Sequence, residues 1–297
     1  MLEHANKLND VHSIGLALSY GWFLLGAILP AIYFLGLPWL IKLSFAQNAD
    51  PKLRPVDPSA KLPEEVREYF YQCHEQFAAI GFEHVGTFDL PDFMSNVRCL
   101  LVGFVNQSTQ EAAVSAALYS KVNGDWVLQQ KFTEFDTSFA DGSCVNTGNQ
   151  SFPGAFPVPD EKQAFILPHL KEVAKLHQAH AALVKTNAGN RRAVLELDTE
   201  FHGDAAVWLK QGLEKESQYA FLCGYLNLTE RTLPNEPSNT SNPYQTPRVA
   251  QVQNHYRPTI KGAHLMTWRE LFPIKQIRTS LRLKRDRNAL AETGVRL

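Results

Sequence analysis

Residues 112–139, AAVSAALYSKVNGDWVLQQKFTEFDTSF, contain two strand-like runs joined by Asn123-Gly124. Asn-Gly is a favoured pair for a two-residue type I′ hairpin turn, because both of its residues tolerate positive φ. The segment therefore predicts an antiparallel hairpin with strands at 112–122 and 126–139. In the second strand one parity holds Trp126, Leu128 and Phe132 and the other holds Phe135 and Phe139, which predicts a β-bulge near Phe132.

The sequence on either side extends this hairpin into a five-strand antiparallel meander. Residues 84–90 and 97–105 precede it, and residues 143–147 follow it after Asp141-Gly142, a second turn pair. Residues 97–105 are apolar at both parities, which is typical of a central strand that is covered on both faces.

Helical patterns flank the predicted meander. Residues 63–80 begin with Pro63, continue with two acidic residues, and end at Gly81, as expected of an amphipathic helix. Its apolar side comprises Val66, Phe70, Cys73 and Phe77. After the meander we predict a helix at 160–185, with Asp160 as N-cap and a kink or restart at Pro168. A second helix follows at 198–223. We then predict strands at 225–229 and 252–259, joined by a polar loop at 232–248, and a helical region from Ala263.

The residues from Ser13 to Ile41 form an uncharged, largely apolar run. About twenty apolar residues cross a bilayer core, so this run predicts a transmembrane helix, with Pro30 near its middle. Two alternatives are a buried core helix and a cleaved signal peptide, but the run is longer than either usually is. Lys and Arg are more frequent just after the run than before it, which predicts that the C-terminal bulk lies on the cytoplasmic side.

The composition is that of an ordinary globular chain. The formal net charge is −1 and 20% of residues are charged, which gives no reason to expect nucleic acid or an acidic substrate. The four cysteines are far apart and form no Cys-x-x-Cys pair, so we expect free thiols in a reducing compartment. No Gly-rich nucleotide motif occurs, and we predict no cofactor.

A few polar groups are candidates for chemistry. His177 and His180 lie one helical turn apart, with His169 two turns earlier, and a metal site could add His202 or Asp204. We favour ordinary helix-face histidines, because the carboxylate that metal-binding helices usually add is absent. Asp141 and Ser143 could lie together in a loop beside Cys144, but turn chemistry alone explains Asp-Gly. We therefore assign no catalytic, cofactor or metal residue.

The last segment of the chain is strongly basic. Its apolar side is marked by Leu271, Ile274, Ile277 and Leu281, and its positive residues include Lys275, Arg278, Arg282, Lys284 and Arg285. Such a helix either has a solvated charged face or lies on anionic lipid.

Two resemblances concern the C-terminal half. Residues 198–261 resemble the second half of a winged helix, with Gly224-Tyr225-Leu226 opening the wing and Tyr256–Gly262 closing it, although the helix carries too few basic residues for DNA binding. Residues 256–278, YRPTIKGAHLMTWRELFPIKQIR, together with the N-terminal run, resemble a group of uncharacterised bacterial single-pass membrane-anchored proteins. That resemblance implies an anchor and one long unit, and it implies no activity.

We thus expect a single-pass α+β membrane protein. Its parts are a tail (1–12), a transmembrane helix (13–41), a Pro-rich linker (42–62), an α+β domain (63–185), a helical and hairpin subdomain (186–273) and a basic tail (274–297). The function we favour is a non-enzymatic interaction or scaffold protein whose partners are the lipid bilayer, anionic lipid through the tail, and a protein not identified by the sequence. The alternatives are a membrane-tethered enzyme with a site near Asp141 or His177 and His180, and a membrane-held winged-helix regulator.

Overall fold

A computed structural model describes residues 26, 28, 32–56, 62–151, 154, 156–232, 252–271 and 273–295. Within them the fold is mixed α+β, as predicted, with a large and mostly antiparallel sheet. The helices are α1 (Leu37–Ser44, after a π-helical turn at Ile32–Gly36), α2 (Glu64–Ala79), α3 (Val173–Ala188), α4 (Glu196–Thr199), α5 (Ala205–Leu222), α6 (Ile260–Glu270) and α7 (Ile274–Glu292). The strands are β1 (Gln47–Asn48), β2 (Arg54–Pro55), β3 (Glu83–Met94), β4 (Val97–Asn106), β5 (Glu111–Val122), β6 (Asp125–Phe139), β7 (Cys144–Gly148), β8 (Lys162–Ile166), β9 (Ala193–Val194), β10 (Leu226–Thr232) and β11 (Val252–Pro258).

The strand order is β10-β11-β1-β3-β4-β5-β6-β7-β8, with β2 paired to β3 and β9 paired to β6. The predicted five-strand meander is confirmed as β3 to β7, in which each strand pairs antiparallel with the next. Strand β8 pairs with β7 in parallel and is the last strand at this end of the sheet, so it is an edge strand.

A bulge in β6 decides which side chains face which side of the sheet. Leu118 pairs with Gln130 and Tyr119 pairs with Leu128, so Gln129 is the extra residue. The predicted bulge exists, but it lies three residues before Phe132. Leu128 therefore packs on the same side of the sheet as Phe135, while Phe132 packs on the other side.

Helices cover both faces of the sheet, which accounts for the two-sided apolar pattern of β4. On one face α2 and α3 bury a large aromatic and aliphatic core, and the side chain of Leu290 from α7 joins it. On the other face α4 and α5 pack through Leu195, Leu197, Ala205 and Leu209. We call these two sides of the sheet the α2 face and the α5 face.

The predicted helix at 160–185 is wrong over its first part. Residues 162–166 form β8, and the helix begins only at Val173. The residue before a proline disfavours helical dihedrals, so Pro168 prevents a helix from running back through Leu167. Pairing with β7 then satisfies the backbone of Lys-Gln-Ala-Phe-Ile and buries Phe165 and Ile166.

The predicted helix at 198–223 is two helices. His202 and Gly203 have φ of 51° and 84°, values that end α4 and redirect the chain. Asp204 then caps α5 by accepting hydrogen bonds from the amides of Ala206 and Val207, both at 3.1 Å.

The predicted linker at 42–62 contributes strands to the sheet. Gln47 of β1 pairs with Tyr256 of β11 and with Met94 of β3. Strand β1 therefore joins the β10–β11 hairpin, which the sequence predicted, to the meander. The hairpin is part of one sheet and not a separate wing.

The YRPTIKG segment docks α6 onto the corner between α5 and β10. The Thr259 hydroxyl donates to the carbonyl of Gly224 at 2.8 Å and accepts from the amide of Gly262 at 3.0 Å. The ammonium of Lys261 donates to the carbonyl of Cys223 at 2.9 Å. A Cβ at Gly262 would overlap the carbonyl oxygen of Tyr225, so this position requires glycine.

Gly262→Ala is expected to lower the free energy of unfolding by about 2 kcal/mol, because the corner must shift to admit one methyl group. The measurement is the urea midpoint of the full-length chain in a mild detergent. Gly212→Ala in α5 is the matched control, since a Cβ there meets nothing within 4 Å, and it should gain about 0.5–1 kcal/mol. Equal midpoints for the two variants would contradict the docking role.

Candidate functional site

Strand β6 sends two carboxylates to the α5 face of the sheet. Glu134 and Asp136 are two residues apart, so they share a face, and they pair with Gly148 and Asn146 of β7. Lys162 of β8 lies on the same face one strand further along. With Glu216 of α5, these side chains form what we call the carboxylate cluster: Glu134, Asp136, Asn146, Lys162 and Glu216.

The cluster is only partly paired. The ammonium of Lys162 bonds to Oε1 of Glu216 at 2.6 Å. The Nδ2 of Asn146 is 3.5 Å from Oδ2 of Asp136, which is a weak hydrogen bond at best. The other oxygen of Asp136, Oδ1, is buried and has no hydrogen-bond partner among the residues that the structure describes. A buried acceptor without a hydrogen-bond partner lowers the stability of the fold, so stability does not account for a carboxylate at position 136.

Gly148 makes room for the cluster. A Cβ at this position would overlap Oε1 of Gln150 and crowd Cγ of Glu134. Glycine on β7 thus lets the side chains of Gln150 and Glu134 lie over the strand.

The surroundings of Asp136 favour the protonated form of its carboxyl group. Burial raises the pKa of Asp136 to about 6, although Lys162 opposes this shift. Burial also raises the pKa of Glu134. Burial alone would lower the pKa of Lys162, but the carboxylates of Glu216, Asp136 and Glu134 outweigh it, so its pKa is raised. Because burial is only partly offset by the single ammonium of Lys162, Asp136 can hold a proton up to about pH 6.

The predicted histidine pair does not converge. His180 is fully buried on the α2 face, with Nε2 2.9 Å from the Thr137 hydroxyl and Nδ1 3.0 Å from the Thr147 hydroxyl. His177 points elsewhere and bonds to Oε2 of Glu111 at 2.8 Å. Burial lowers the pKa of His180 to about 4, so this imidazole is neutral at physiological pH. Burial alone would raise the pKa of Glu111, but its hydrogen bond with His177 outweighs this and the pKa is lowered.

The other predicted metal candidates are dispersed. His169 is exposed, His202 lies in the turn before α5, and Asp204 is the cap of that helix. In the described part of the chain, no three His, Cys, Asp or Glu side chains are grouped so as to hold a metal ion.

The Asp141–Ser143 loop is a turn, the interpretation that the sequence favoured. The carboxylate of Asp141 accepts from the amide of Ser143 at 3.0 Å, and the guanidinium of Arg191 donates to the Ser143 hydroxyl at 2.7 Å. The pKa of the adjacent Cys144 is raised by burial, which disfavours the reactive thiolate.

The basic residues of α7 fall into two groups. Arg285 donates to Oδ1 of Asp286, and both Arg282 and Arg285 reach the carbonyl of Ala164 on β8 at 3.3 Å. Arg278 and Lys284 are exposed, and Lys275 bonds to Glu270 at 2.5 Å. Arg282 and Arg285 thus have a structural role in the chain, and lipid binding by the tail stays a prediction.

The carboxylate cluster was missed from the sequence. Glu134 and Asp136 at i and i+2 in a strand are the one local signal, and that pattern is also typical of a solvated strand face. Lys162 and Glu216 gave no signal, because the strand that carries Lys162 was predicted as helix.

The predicted transmembrane helix falls largely outside the described residues. In the described part, residues 32–44, a π-helical turn leads into α1. No helix among the described residues is long and apolar enough to cross a membrane. Comparison of the chain with family models, with curated proteins and with solved structures found no match.

Proposed function

We propose that the chain is a membrane-anchored protein whose N-terminal run holds the α+β fold at the cytoplasmic surface of a bilayer, where the fold serves as an interaction or scaffold module. The observation that carries this proposal is the exposed apolar side of α1. Trp39, Leu40 and Leu43 are 56%, 60% and 67% exposed. A contiguous exposed apolar face of this kind marks a contact surface.

The position of this face in the chain favours lipid as its partner. The apolar face continues back through Leu35 and Ile32, and these residues belong to the uncharged run that begins at Ser13. The ammonium of Lys42, the first charge after the run, lies 5.0 Å from the ring centroid of Trp39. A tryptophan beside a lysine is typical of the head-group region. The opposite side of the segment packs on α6, where the rings of Phe34 and Trp268 are 5.3 Å apart.

The exposed side of α7 is compatible with the same orientation. Ile277 and Leu281 are exposed beside Arg278 and Lys284, a mixture of apolar and basic residues that suits anionic lipid. We therefore retain tail–lipid contact as part of the proposal.

The end of the β5–β6 hairpin is a second exposed apolar feature, with Trp126 on one face of the hairpin and Val122 and Val127 on the other. Val122, Trp126 and Val127 are all exposed at the end of the β5–β6 hairpin. Tryptophan is enriched at the energetic centres of protein interfaces, so this hairpin end is the surface we assign to a partner.

The test of the anchor is fractionation and topology of the full-length chain with a reporter after Leu297. We expect the chain to remain in membranes after a carbonate wash, and the reporter to be cleaved by added protease only after cell lysis. Cleavage in intact cells would place the fold on the opposite side. Release of the full-length chain by carbonate would refute the anchor, and release of a shortened chain would identify a cleaved N-terminal segment.

A second candidate function, a membrane-tethered enzyme, is favoured by one observation. Asp136 combines a buried oxygen that has no partner among the described residues with a pKa raised to about 6, beside Glu134 and Lys162. Carboxylates in unequal environments are suited to general acid–base chemistry, with Asp136 as the proton donor. A carboxylate kept for chemistry lowers stability, so a gain in stability on Asp136→Asn would favour this function over a purely structural role.

A further inference from the structure

Arg257 is the one charged side chain of the YRPTIKG segment that does not help to dock α6. Thr259, Lys261 and Gly262 hold the corner, and the ring of Tyr256 lies 6.0 Å from that of Phe221. The guanidinium of Arg257 has no hydrogen bond or ion pair with any residue that the structure describes, although Arg257 is only partly exposed. An arginine that has no partner among the described residues and is only partly exposed is suited to an external anion.

Arg257 lines a pocket of about 520 Å³ at the end of α1. That volume falls in the range of small-molecule sites, roughly 300–1,000 Å³. Its walls come from the end of α1, the β3–β4 turn and the β10–β11 hairpin, namely Leu43, Ser44, Ala46, Ser95, Thr229, Glu230 and Arg257.

Strand alternation sorts the charged groups of this pocket. Asn227 pairs with Arg257 and Thr229 pairs with His255, so the side chains of Thr229 and Arg257 share one face of the hairpin. Glu230, which also lines the pocket, alternates with Thr229, so its side chain is directed to the other face of the hairpin. Arg257 therefore lines the pocket beside Thr229, whose hydroxyl donates to the carbonyl of His255 at 3.1 Å.

The hydroxyl of Ser95 can contribute. It donates to the carbonyl of Ala46 at 3.3 Å, a long hydrogen bond that it can exchange for one to a bound anion. The C-terminal end of α1 opposes an anion with roughly half a negative charge. The guanidinium carries a full positive charge in a fork that matches phosphate oxygens, so its attraction outweighs the helix end.

We infer that this pocket binds a phosphate group through Arg257, and that a phospholipid head group supplies it. The lipid source rests on the proposed function, because that function places Trp39 and Lys42 at head-group depth and Leu43 and Ser44 come directly after Lys42 in α1. The phosphate chemistry rests only on the pocket itself.

The test is native mass spectrometry of the purified full-length chain released from a non-ionic detergent. The probes are short-chain phosphatidylglycerol, the matching diacylglycerol without phosphate, and inorganic phosphate. We expect phosphatidylglycerol to bind and diacylglycerol not to bind. Arg257→Gln should weaken binding at least about tenfold. Arg54→Gln, which removes an exposed arginine of β2 outside the pocket, should leave binding unchanged.

A matched pair on the pocket wall keeps the inference testable if Arg257→Gln does not fold. Ser95→Asp and Ser95→Asn are nearly isosteric and both suit a turn. The aspartate should weaken phosphatidylglycerol binding about tenfold relative to the asparagine, because it adds a negative charge. Equal binding by these two variants, or by Arg257→Gln and the unmodified chain, would overturn the inference.

Different measurements test the lipid source of the phosphate and the membrane anchor. Binding of inorganic phosphate as tight as that of phosphatidylglycerol, still dependent on Arg257, would uphold the phosphate site and overturn the lipid source. The carbonate wash of the Arg257→Gln chain tests the anchor alone. A chain that stays in the membrane but binds without dependence on Arg257 would refute the pocket and leave the proposed function intact.

Discussion

Asp136→Asn is expected to raise the free energy of unfolding by about 3 kcal/mol at pH 7. The pKa of Asp136 is about 6 in the folded chain against an ordinary value of 3.8, and each unit corresponds to about 1.4 kcal/mol. Asparagine has nearly the same shape and requires no charge on the α5 face. The substitution removes the penalty of keeping a half-buried carboxylate ionised beside Glu134. It also removes the attraction of that carboxylate to Lys162, which is the smaller effect.

The sign of the pH dependence follows from linkage. Between pH 4 and 6 the folded chain holds a proton on Asp136 that the unfolded chain has released. Stability therefore falls as pH rises through this window, and the penalty is complete above pH 6. The gain in the free energy of unfolding of Asp136→Asn over the unmodified chain should be absent below pH 4 and complete above pH 6.

His180 imposes the opposite slope. Its pKa is about 4 in the folded chain against an ordinary 6.5, because burial disfavours the imidazolium. Between these values the unfolded chain binds the extra proton, so stability rises with pH, by about 3 kcal/mol in total. The two slopes nearly cancel between pH 4 and 6 in the unmodified chain. Asp136→Asn should uncover the histidine slope and lose about 3 kcal/mol on acidification from pH 6.5 to 4.

Urea midpoints at pH 4, 5, 6 and 7 measure both effects. Asp141→Asn is the matched control, because it makes the same change in the exposed turn after β6, and it should shift stability by less than about 0.5 kcal/mol. A loss of stability in Asp136→Asn at pH 7 would show that the carboxylate is a structural partner of Lys162. That result would also remove the support for acid–base chemistry.

Local signals were enough to predict the meander and the first helix. Asn123-Gly124 fixes a turn without help from distant residues, and Gly81 ends α2 in the same way. The two-sided apolar pattern of residues 97–105 correctly indicated a strand between two helical layers. These features depend on neighbours in sequence, which is why they can be inferred from one chain.

Features that depend on distant pairing could not be predicted. Strand β8 has five residues and is held by parallel pairing to β7, so the partner and not the local pattern decides its conformation. Strand β1 has two residues and is specified by β11 and β3 on its two sides. The carboxylate cluster needs β6, β7, β8 and α5 together, and two of those placements were not visible in the sequence.

Asp286→Ala is expected to lower the free energy of unfolding by about 3–5 kcal/mol. Asp286 is fully buried between α7 and the edge strand β8. Its Oδ2 accepts from the amide of Ile166 at 2.9 Å, and its Oδ1 accepts from Nε of Arg285 at 2.8 Å. Alanine would leave the Ile166 amide unpaired and the half-buried guanidinium of Arg282 without its carboxylate, 3.7 Å away.

Asp286→Ala should also expose the edge strand β8 locally. An unprotected edge strand offers its free amides and carbonyls to other chains, and α7 blunts this edge with one carboxylate and two guanidinium groups. Hydrogen exchange at the Ile166 amide should therefore accelerate in Asp286→Ala more than at amides of β5. Asp286→Asn keeps an acceptor for the Ile166 amide but loses the charge. The exchange rate of that amide in Asp286→Asn should therefore lie between the rates in the unmodified chain and in Asp286→Ala. Glu292→Ala, an exposed change near the end of the same helix, should cost less than about 0.5 kcal/mol. Unchanged protection at Ile166 in Asp286→Ala would mean that α7 does not guard the edge, and Arg282 and Arg285 would again be candidates for lipid.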